Sequence, residues 1–290
     1  MTAAEAPRER ASFRARIVLR PRTLDEVFDL ALAYGREHFG ELRGVIAFSV
    51  FVPLLVAGAT VGGWWASGGS PESTMVLGAF VLVLGSAWAE RVVTVFVGRH
   101  LFETRVTLRE AIRGARRALP LLPGTALRWS PLLPFLLIDA GAHDAAGALL
   151  LLLIFAAMVN ATFHARSFFE GEVRLLERLS GGAARRRAHD LAVDRHGRNL
   201  IFMVPALVFR TLFVISALGA SHTVFSFVLQ FEGVNEVAAG PVAALGYVLS
   251  GPFIALARLF DYVDARTRGE GWDIQVRFQE IAHRSVERAA

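Results

Sequence analysis

The sequence contains no cysteine and no lysine. Without cysteine the chain can form no disulfide, no thiolate metal site, no iron–sulfur cluster and no cysteine nucleophile. All 31 basic residues are therefore arginines. Because arginine, alanine and glycine codons are rich in G and C, this usage indicates a bacterium with a GC-rich genome.

Established catalytic motifs are absent as well. The chain has no HExxH, GxSxG, Walker A or dinucleotide-binding glycine motif. His189, Asp190, Asp194 and His196 lie close together, but they follow no known ligand spacing and belong to an arginine-rich segment. We therefore predict no enzyme activity, no metal and no cofactor.

Long apolar runs are the main feature that is present. Residues 145–163 read AAGALLLLLIFAAMVNATF, nineteen residues without a charge. As a helix this run is about 28 Å long, close to the thickness of the hydrocarbon core of a bilayer. With 54% hydrophobic residues and a mean hydropathy of +0.45, the chain is predicted to be an all-α polytopic membrane helix bundle.

We predict about six transmembrane helices, at residues 45–66, 74–97, 128–139, 145–163, 200–218 and 238–260. Prolines break the third span, which either borrows flanking residues to cross or stays buried as a kinked helix. The fifth span has an alternative register that starts at Thr211 and runs to Phe231.

Four regions follow from this pattern. Residues 1–22 form a flexible basic leader, residues 41–262 the membrane domain, and residues 263–290 a cytoplasmic amphipathic tail. Residues 23–40 form an amphipathic helix that begins with a capping box, Thr23 and Glu26. We predict that this helix lies in the membrane interface, with packing against the rim of the bundle as the alternative.

The arginines indicate the orientation. The predicted loops at 67–73, 139–146 and 219–237 contain acidic residues and no arginine. Because basic loops stay in the cytoplasm, we predict a multi-pass protein of the bacterial cytoplasmic (inner) membrane with both termini inside. The sequence pI of about 10.7 thus reflects topology, and we predict no nucleic-acid partner.

The second predicted span contains Glu90 and Arg91, and the fifth contains Arg210; the charges of interest are Glu90 and Arg210. A charge within a bilayer is costly unless it is paired or hydrated. Both lie at a similar depth from the same membrane face, so we predict that they pair across the bundle. Such a pair could fix the helix register, or it could belong to a proton or substrate path.

The C-terminal region has the highest density of charge. Spacings of three and four residues predict ion pairs between Arg258 and Asp261 and between Asp264 and Arg268 along an extension of the last span. The alternative to this solvated helix end is a docking surface for a protein partner or for anionic lipid headgroups. The candidate motif comprises Arg258, Asp261, Asp264, Arg266, Arg268, Glu270, Trp272 and Asp273.

The same stretch, FDYVDARTRGEGWDIQVRF, resembles the ending of bacterial six-span proteins grouped with the glycerophosphoryl diester phosphodiesterase membrane domain family. The early stretch LRPRTLDEVFDLALAYGREHFGEL is similar to the opening of that family. In the family the phosphodiesterase is a separate soluble domain, and nothing here matches its metal-binding carboxylates and histidine. The resemblance therefore implies a membrane domain without catalysis.

Two functions are consistent with these observations. The first is a non-catalytic accessory or scaffolding role, in which arginine-rich cytoplasmic helices engage protein partners or anionic lipid in the bilayer. The alternative is a small transporter or channel that uses Glu90 and Arg210, because broken helices often line binding sites in transporters.

Overall fold

The computed structural model describes residues 17–68, 71–103, 105–121, 168–230 and 234–271. All regular secondary structure in these ranges is helical. The predicted third and fourth spans, 128–139 and 145–163, lie outside the described residues. In chain order the α-helices are α1 Leu24–Glu37, α2 Phe39–Ala66, α3 Pro71–His100, α4 Leu108–Ala115, α5 Glu170–Glu172, α6 Gly181–Val193, α7 His196–His222 and α8 Val234–Glu270.

Three shorter helical segments extend these elements. A 3₁₀ segment, Arg116–Leu121, follows α4. π-Helical segments follow α5 at Val173–Glu177 and α7 at Thr223–Val228. The helix α7 begins at His196 and continues directly into its π segment, so one helix contains the earlier register of the fifth span and nearly all of the alternative one. Arg210 lies near the middle of α7, and the choice of register stays a prediction.

Within the described ranges, four helical segments are long and apolar enough to cross a membrane: Phe39–Ala66, Phe80–His100, His196–Val228 and Pro241–Glu270. They coincide with the predicted first, second, fifth and sixth spans. Within the apolar 18-residue window of each segment, 50% of the residues are buried in α3 and 56% in α8. The corresponding shares are only 28% in α2 and 6% in the α7 segment. The helices α3 and α8 are therefore central, and α2 and α7 lie outside them.

Close helix contacts depend on particular glycines. A Cβ atom on Gly246 of α8 would lie 2.8 Å from the Phe213 carbonyl oxygen of α7, so the two backbones nearly touch there. Gly85 of α3 similarly packs against Pro53 of α2.

The helix α1 packs on protein, so the structure supports the rim-packing alternative. Val27, Ala31 and Tyr34 are buried, and the Phe28 ring stacks on Phe202 at a centroid distance of 5.0 Å. The predicted capping box is present, and the Thr23 backbone N–H donates to Glu26 Oε2 at 2.9 Å. The apolar stripe of α1 thus packs on neighbouring helices, and the position of α1 relative to a membrane interface stays a prediction.

One end of the bundle holds a large core to which all the longer described helices contribute. Here α1 and α6 pack against α8, and α4 packs against α3; we call this part of the molecule, with α5, the basic end. At about 1.5 Å per residue, the 37 residues of α8 extend about 55 Å, well beyond a hydrocarbon core of about 30 Å. The helix thus runs from the apolar part of the bundle into the basic end and continues past residue 262.

Candidate functional site

Two aspartates at the centre of the basic end organise the polar contacts there. Asp261 and Asp264 lie three residues apart on α8, and both are completely buried. Arg195 Nη2 donates to Asp261 Oδ1 at 3.0 Å and to Asp264 Oδ2 at 2.8 Å. Arg198 Nε donates to Asp261 Oδ1 at 3.0 Å. Both arginines flank the start of α7, so this carboxylate cluster joins α7 to α8.

The segment before α1 is held by the same cluster. The Arg22 backbone N–H donates to Asp264 Oδ1 at 2.6 Å. The Arg22 carbonyl oxygen accepts hydrogen bonds from Arg198 Nη1 at 2.9 Å and from Arg268 Nη2 at 2.6 Å. Burial lowers the pKa of the Arg22 guanidinium from its usual value. The cluster therefore joins three parts of the chain that are distant in sequence.

The structure changes the interpretation of the C-terminal motif. Arg258 pairs with Glu172 at 3.3 Å rather than with Asp261, so the first predicted ion pair is wrong. The second is confirmed, because Arg268 Nε lies 3.1 Å from Asp264 Oδ2. Burial of both aspartates contradicts a fully solvated helix end and leaves neither carboxylate on a docking surface. Trp272 and Asp273 lie outside the described residues.

A second ion-pair group connects α3, α5 and α8. The Glu172 side chain is only 1% exposed and lies 3.1 Å from Arg91 Nη1 and 3.3 Å from Arg258 Nη2. Arg258 Nη2 also donates to the Phe168 carbonyl oxygen at 2.9 Å. A side chain at Gly171 would overlap the Arg91 guanidinium and displace it from its present position.

A third group lies further along α8. The Tyr262 hydroxyl donates to Glu177 Oε1 at 2.6 Å, and Arg187 Nε donates to Glu177 Oε2 at 2.9 Å. Arg266 Nε pairs with Glu270 at 2.9 Å, and Arg187 reaches Glu270 as well. Six members of the candidate C-terminal motif thus take part in intramolecular contacts: Arg258, Asp261, Asp264, Arg266, Arg268 and Glu270.

Sequence reasoning did not single out Glu172, Glu177, Arg195 or Arg198 as partners of this motif. The only available signal was their place in arginine-rich segments without lysine. Sequence reasoning also missed the contact between Tyr34 and His100, in which the Tyr34 hydroxyl lies 2.6 Å from His100 Nδ1. His100 also contacts Glu41. Such partners cannot be paired from local spacing because they belong to different helices.

Glu90 and Arg210 meet within the apolar part of the bundle. Arg210 Nη2 lies 2.5 Å from Glu90 Oε1, and the two side chains are 17% and 15% exposed. The Arg210 guanidinium carbon is 4.2 Å from the centre of the Tyr247 ring, a cation–π contact. A Cβ atom on Gly251 would lie 3.3 Å from Glu90 Oε1, so α8 passes close to the pair. The arrangement joins α3, α7 and α8.

A cleft with a volume of about 470 Å³ opens in the basic end. It lies between the C-terminal part of α3, α4 with its 3₁₀ extension, the π segment after α5, and α8. Its polar lining comprises two acids and five arginines: Glu103, Glu110, Arg99, Arg113, Arg117, Arg178 and Arg266. The remaining lining is mostly apolar.

Histidine and acidic side chains form no metal site in the part of the chain that the structure describes: no group of three or more His, Asp or Glu side chains there could hold a metal ion. His189, Asp190 and Asp194 are exposed on or next to α6. No protein-family model, curated protein or solved structure matches this chain. The resemblance to the phosphodiesterase membrane domain family therefore stays a prediction.

Proposed function

We propose that this chain is an integral protein of a bacterial cytoplasmic membrane, with six spans and both termini inside, that has a non-catalytic accessory or scaffolding role. In this role the basic end lies in the cytoplasm and engages protein partners or anionic lipid. The proposal extends the resemblance to the phosphodiesterase membrane domain family, in which the catalytic domain is separate.

The separation of buried and exposed charge in the basic end carries this proposal. Buried carboxylates neutralise the inner arginines and connect the helices, whereas other arginines remain on the surface. The exposed arginines include Arg105, Arg109, Arg113, Arg116, Arg117, Arg178, Arg185 and Arg186. Near an anionic membrane surface each such residue contributes about 1 kcal/mol of attraction. A well-packed body with a basic surface suits binding better than chemistry.

The second candidate is a transporter or channel that uses Glu90 and Arg210. One observation favours it: the buried Arg210 Nε has no hydrogen-bond partner among the described residues. An unsatisfied donor within the apolar part of a bundle is costly, and a transported anion or water could satisfy it.

Site-specific photo-crosslinking in cells tests the scaffolding role. A photoreactive amino acid replaces Arg109, Arg116 or Arg186 at the basic end, or Phe227 in the π segment after α7, which is 72% exposed. We expect the three basic-end positions to crosslink reproducibly to the same protein partner or to anionic lipid, and Phe227 to give a different pattern. The same pattern at all four positions, or none, would contradict the proposal.

Topology is tested with reporters. We expect a fluorescent protein fused after Ala290 to fluoresce and alkaline phosphatase at the same point to be inactive, because the proposed C-terminus is cytoplasmic. An epitope inserted after Gly68 should be accessible from the periplasm. Active phosphatase after Ala290 would imply an odd number of spans or an inverted orientation.

A further inference from the structure

We propose that the cleft in the basic end is a binding site for a phosphate-bearing anion. The inference deepens the proposed function and rests on it in one respect, the placement of the basic end at a membrane surface. It replaces a general basic surface with one site, a small set of side chains and a chemical class of ligand.

The cleft has the size and composition of a ligand site. Its volume of about 470 Å³ lies within the range of about 300–1,000 Å³ that is typical of small-molecule pockets. Apolar side chains form part of its wall, among them Val95, Leu175, Leu259 and Val263. A cleft with one polar and one apolar part suits an amphiphilic ligand, in which a charged group is attached to carbon chains.

Positive charge in the cleft exceeds what its acids neutralise. Glu103 and Glu110 both pair with Arg99, at 2.8 and 3.4 Å. Hydrogen bonds from the Thr107 backbone N–H and hydroxyl hold the pKa of Glu110 below its usual value, so this carboxylate stays ionised. Both acids of the lining are therefore occupied by one arginine.

Three arginines of the lining remain available. Arg113, Arg117 and Arg178 are exposed, and none of their side chains forms a hydrogen bond or an ion pair within 4 Å with another described residue, although the charge of Arg113 helps to lower the pKa of Glu110. Their guanidinium groups belong to three segments: α4, its 3₁₀ extension and the turn after α5. Arginine is the side chain best suited to phosphate, because its planar fork donates two parallel hydrogen bonds to phosphate oxygens.

The backbone at Arg178 gives independent support. This residue ends the π segment in the left-handed conformation, with φ 59° and ψ 21°. For a residue other than glycine or asparagine that conformation costs about 1–2 kcal/mol. Glycine would adopt it freely, and glycine does occupy the nearby positive-φ position at Gly181. The strain supports a use for Arg178 only together with its place in the cleft wall, because Gln230, which follows the other π segment, has a positive φ of 56° as well.

A lipid headgroup and a free phosphate compound share this chemistry, so the test uses both. The purified full chain in zwitterionic detergent is titrated with phosphatidylglycerol or phosphatidylcholine by native mass spectrometry, and with inorganic phosphate by calorimetry. The cleft variant is R113Q/R117Q/R178Q. Its matched control, R109Q/R116Q/R186Q, removes the same charge from exposed arginines outside the lining.

We expect the wild type to prefer phosphatidylglycerol and the cleft variant to bind it about tenfold more weakly, because it loses charge-assisted hydrogen bonds. The control should lose only the non-directional attraction of its three exposed arginines, so its binding should weaken less than that of the cleft variant. R178G should also weaken binding while folding at least as well as wild type, since glycine relieves the backbone strain. Loss of binding in R178G therefore cannot be attributed to unfolding.

The outcomes separate the possibilities. If the cleft variant binds both phosphatidylglycerol and inorganic phosphate more weakly than the wild type, the headgroup phosphate is the ligand. If only inorganic phosphate binds, and the cleft variant binds it more weakly, the site takes a free phosphate compound. An equal loss in both triple variants, or unchanged binding in the cleft variant and R178G, overturns the site. Neither overturning result affects the crosslinking pattern at Arg109, Arg116 and Arg186, so the scaffolding role would still stand on its own test.

Discussion

Replacement of Asp264 by asparagine should destabilise the protein by about 3–5 kcal/mol, the range typical for removing one partner of a buried ion pair. The Asp264 carboxylate is fully buried and accepts hydrogen bonds from Arg195, Arg268 and the Arg22 backbone. Asparagine keeps the shape but removes the negative charge, so the buried Arg195 loses part of its neutralisation. Unfolding in SDS mixed micelles, followed by circular dichroism, measures the free energy.

The matched control is Asp190→Asn, because Asp190 is an exposed aspartate on α6. Its free energy of unfolding should change by less than about 0.5 kcal/mol. A double-mutant cycle of D261N and R198Q adds a test of coupling, since the two side chains share a hydrogen bond at 3.0 Å. Equal stability of D264N and D190N would show that the carboxylate cluster does not hold the helices together.

Removal of one member of the intramembrane pair should have an effect of similar size. E90Q should lower the free energy of unfolding by about 3 kcal/mol, because Arg210 would remain charged within the apolar part of the bundle. The double variant E90L/R210M should recover most of that stability, since well-packed apolar side chains often replace a buried ion pair without loss. The same unfolding measurement in SDS gives both values.

This pair of variants also distinguishes the two functional candidates. If E90L/R210M folds and keeps the wild-type crosslinking pattern at the basic end, the ion pair serves to fix the helices. If the double variant folds but abolishes a solute or proton flux that the wild type shows in proteoliposomes, the transport candidate gains support. A double variant that is no more stable than E90Q would contradict the view that the two residues act as a pair.

The absence of lysine has a structural counterpart in these contacts. Arg198 donates to the Asp261 carboxylate through Nε and to the Arg22 carbonyl oxygen through Nη1, so two of its nitrogens serve two acceptors. Lysine carries a single ammonium group on a flexible chain and could not reproduce this geometry. Arginine therefore has two roles here. Its distribution along the sequence predicts the topology, and its guanidinium group connects helices through hydrogen bonds.

Local patterns predicted several features correctly. Hydropathy placed four described helices, because a run of apolar residues long enough to cross a membrane needs no tertiary partner to be recognised. The spacing of Thr23 and Glu26 predicted the start of α1. Charge within predicted spans directed attention to Glu90 and Arg210, because their similar depth suggested that each could neutralise the other.

Burial of the C-terminal motif could not be predicted in this way. Spacing along one helix suggested that Asp261 would pair with Arg258, whereas its partners come from the start of α7. The exposed face of a charged helix and a buried face lined by opposite charges have the same local pattern. The cleft and its three available arginines were invisible for the same reason, since they combine separate segments.

By itself the sequence determined that the chain is helical, apolar and asymmetric in charge, because these properties depend on composition and on spacing within single segments. Only the tertiary structure decided which charges are buried and which remain available. The Arg22 backbone and Asp264, which hydrogen-bond at 2.6 Å, are separated by 242 positions. Contacts over such distances arise when helices pack, and no local pattern encodes them.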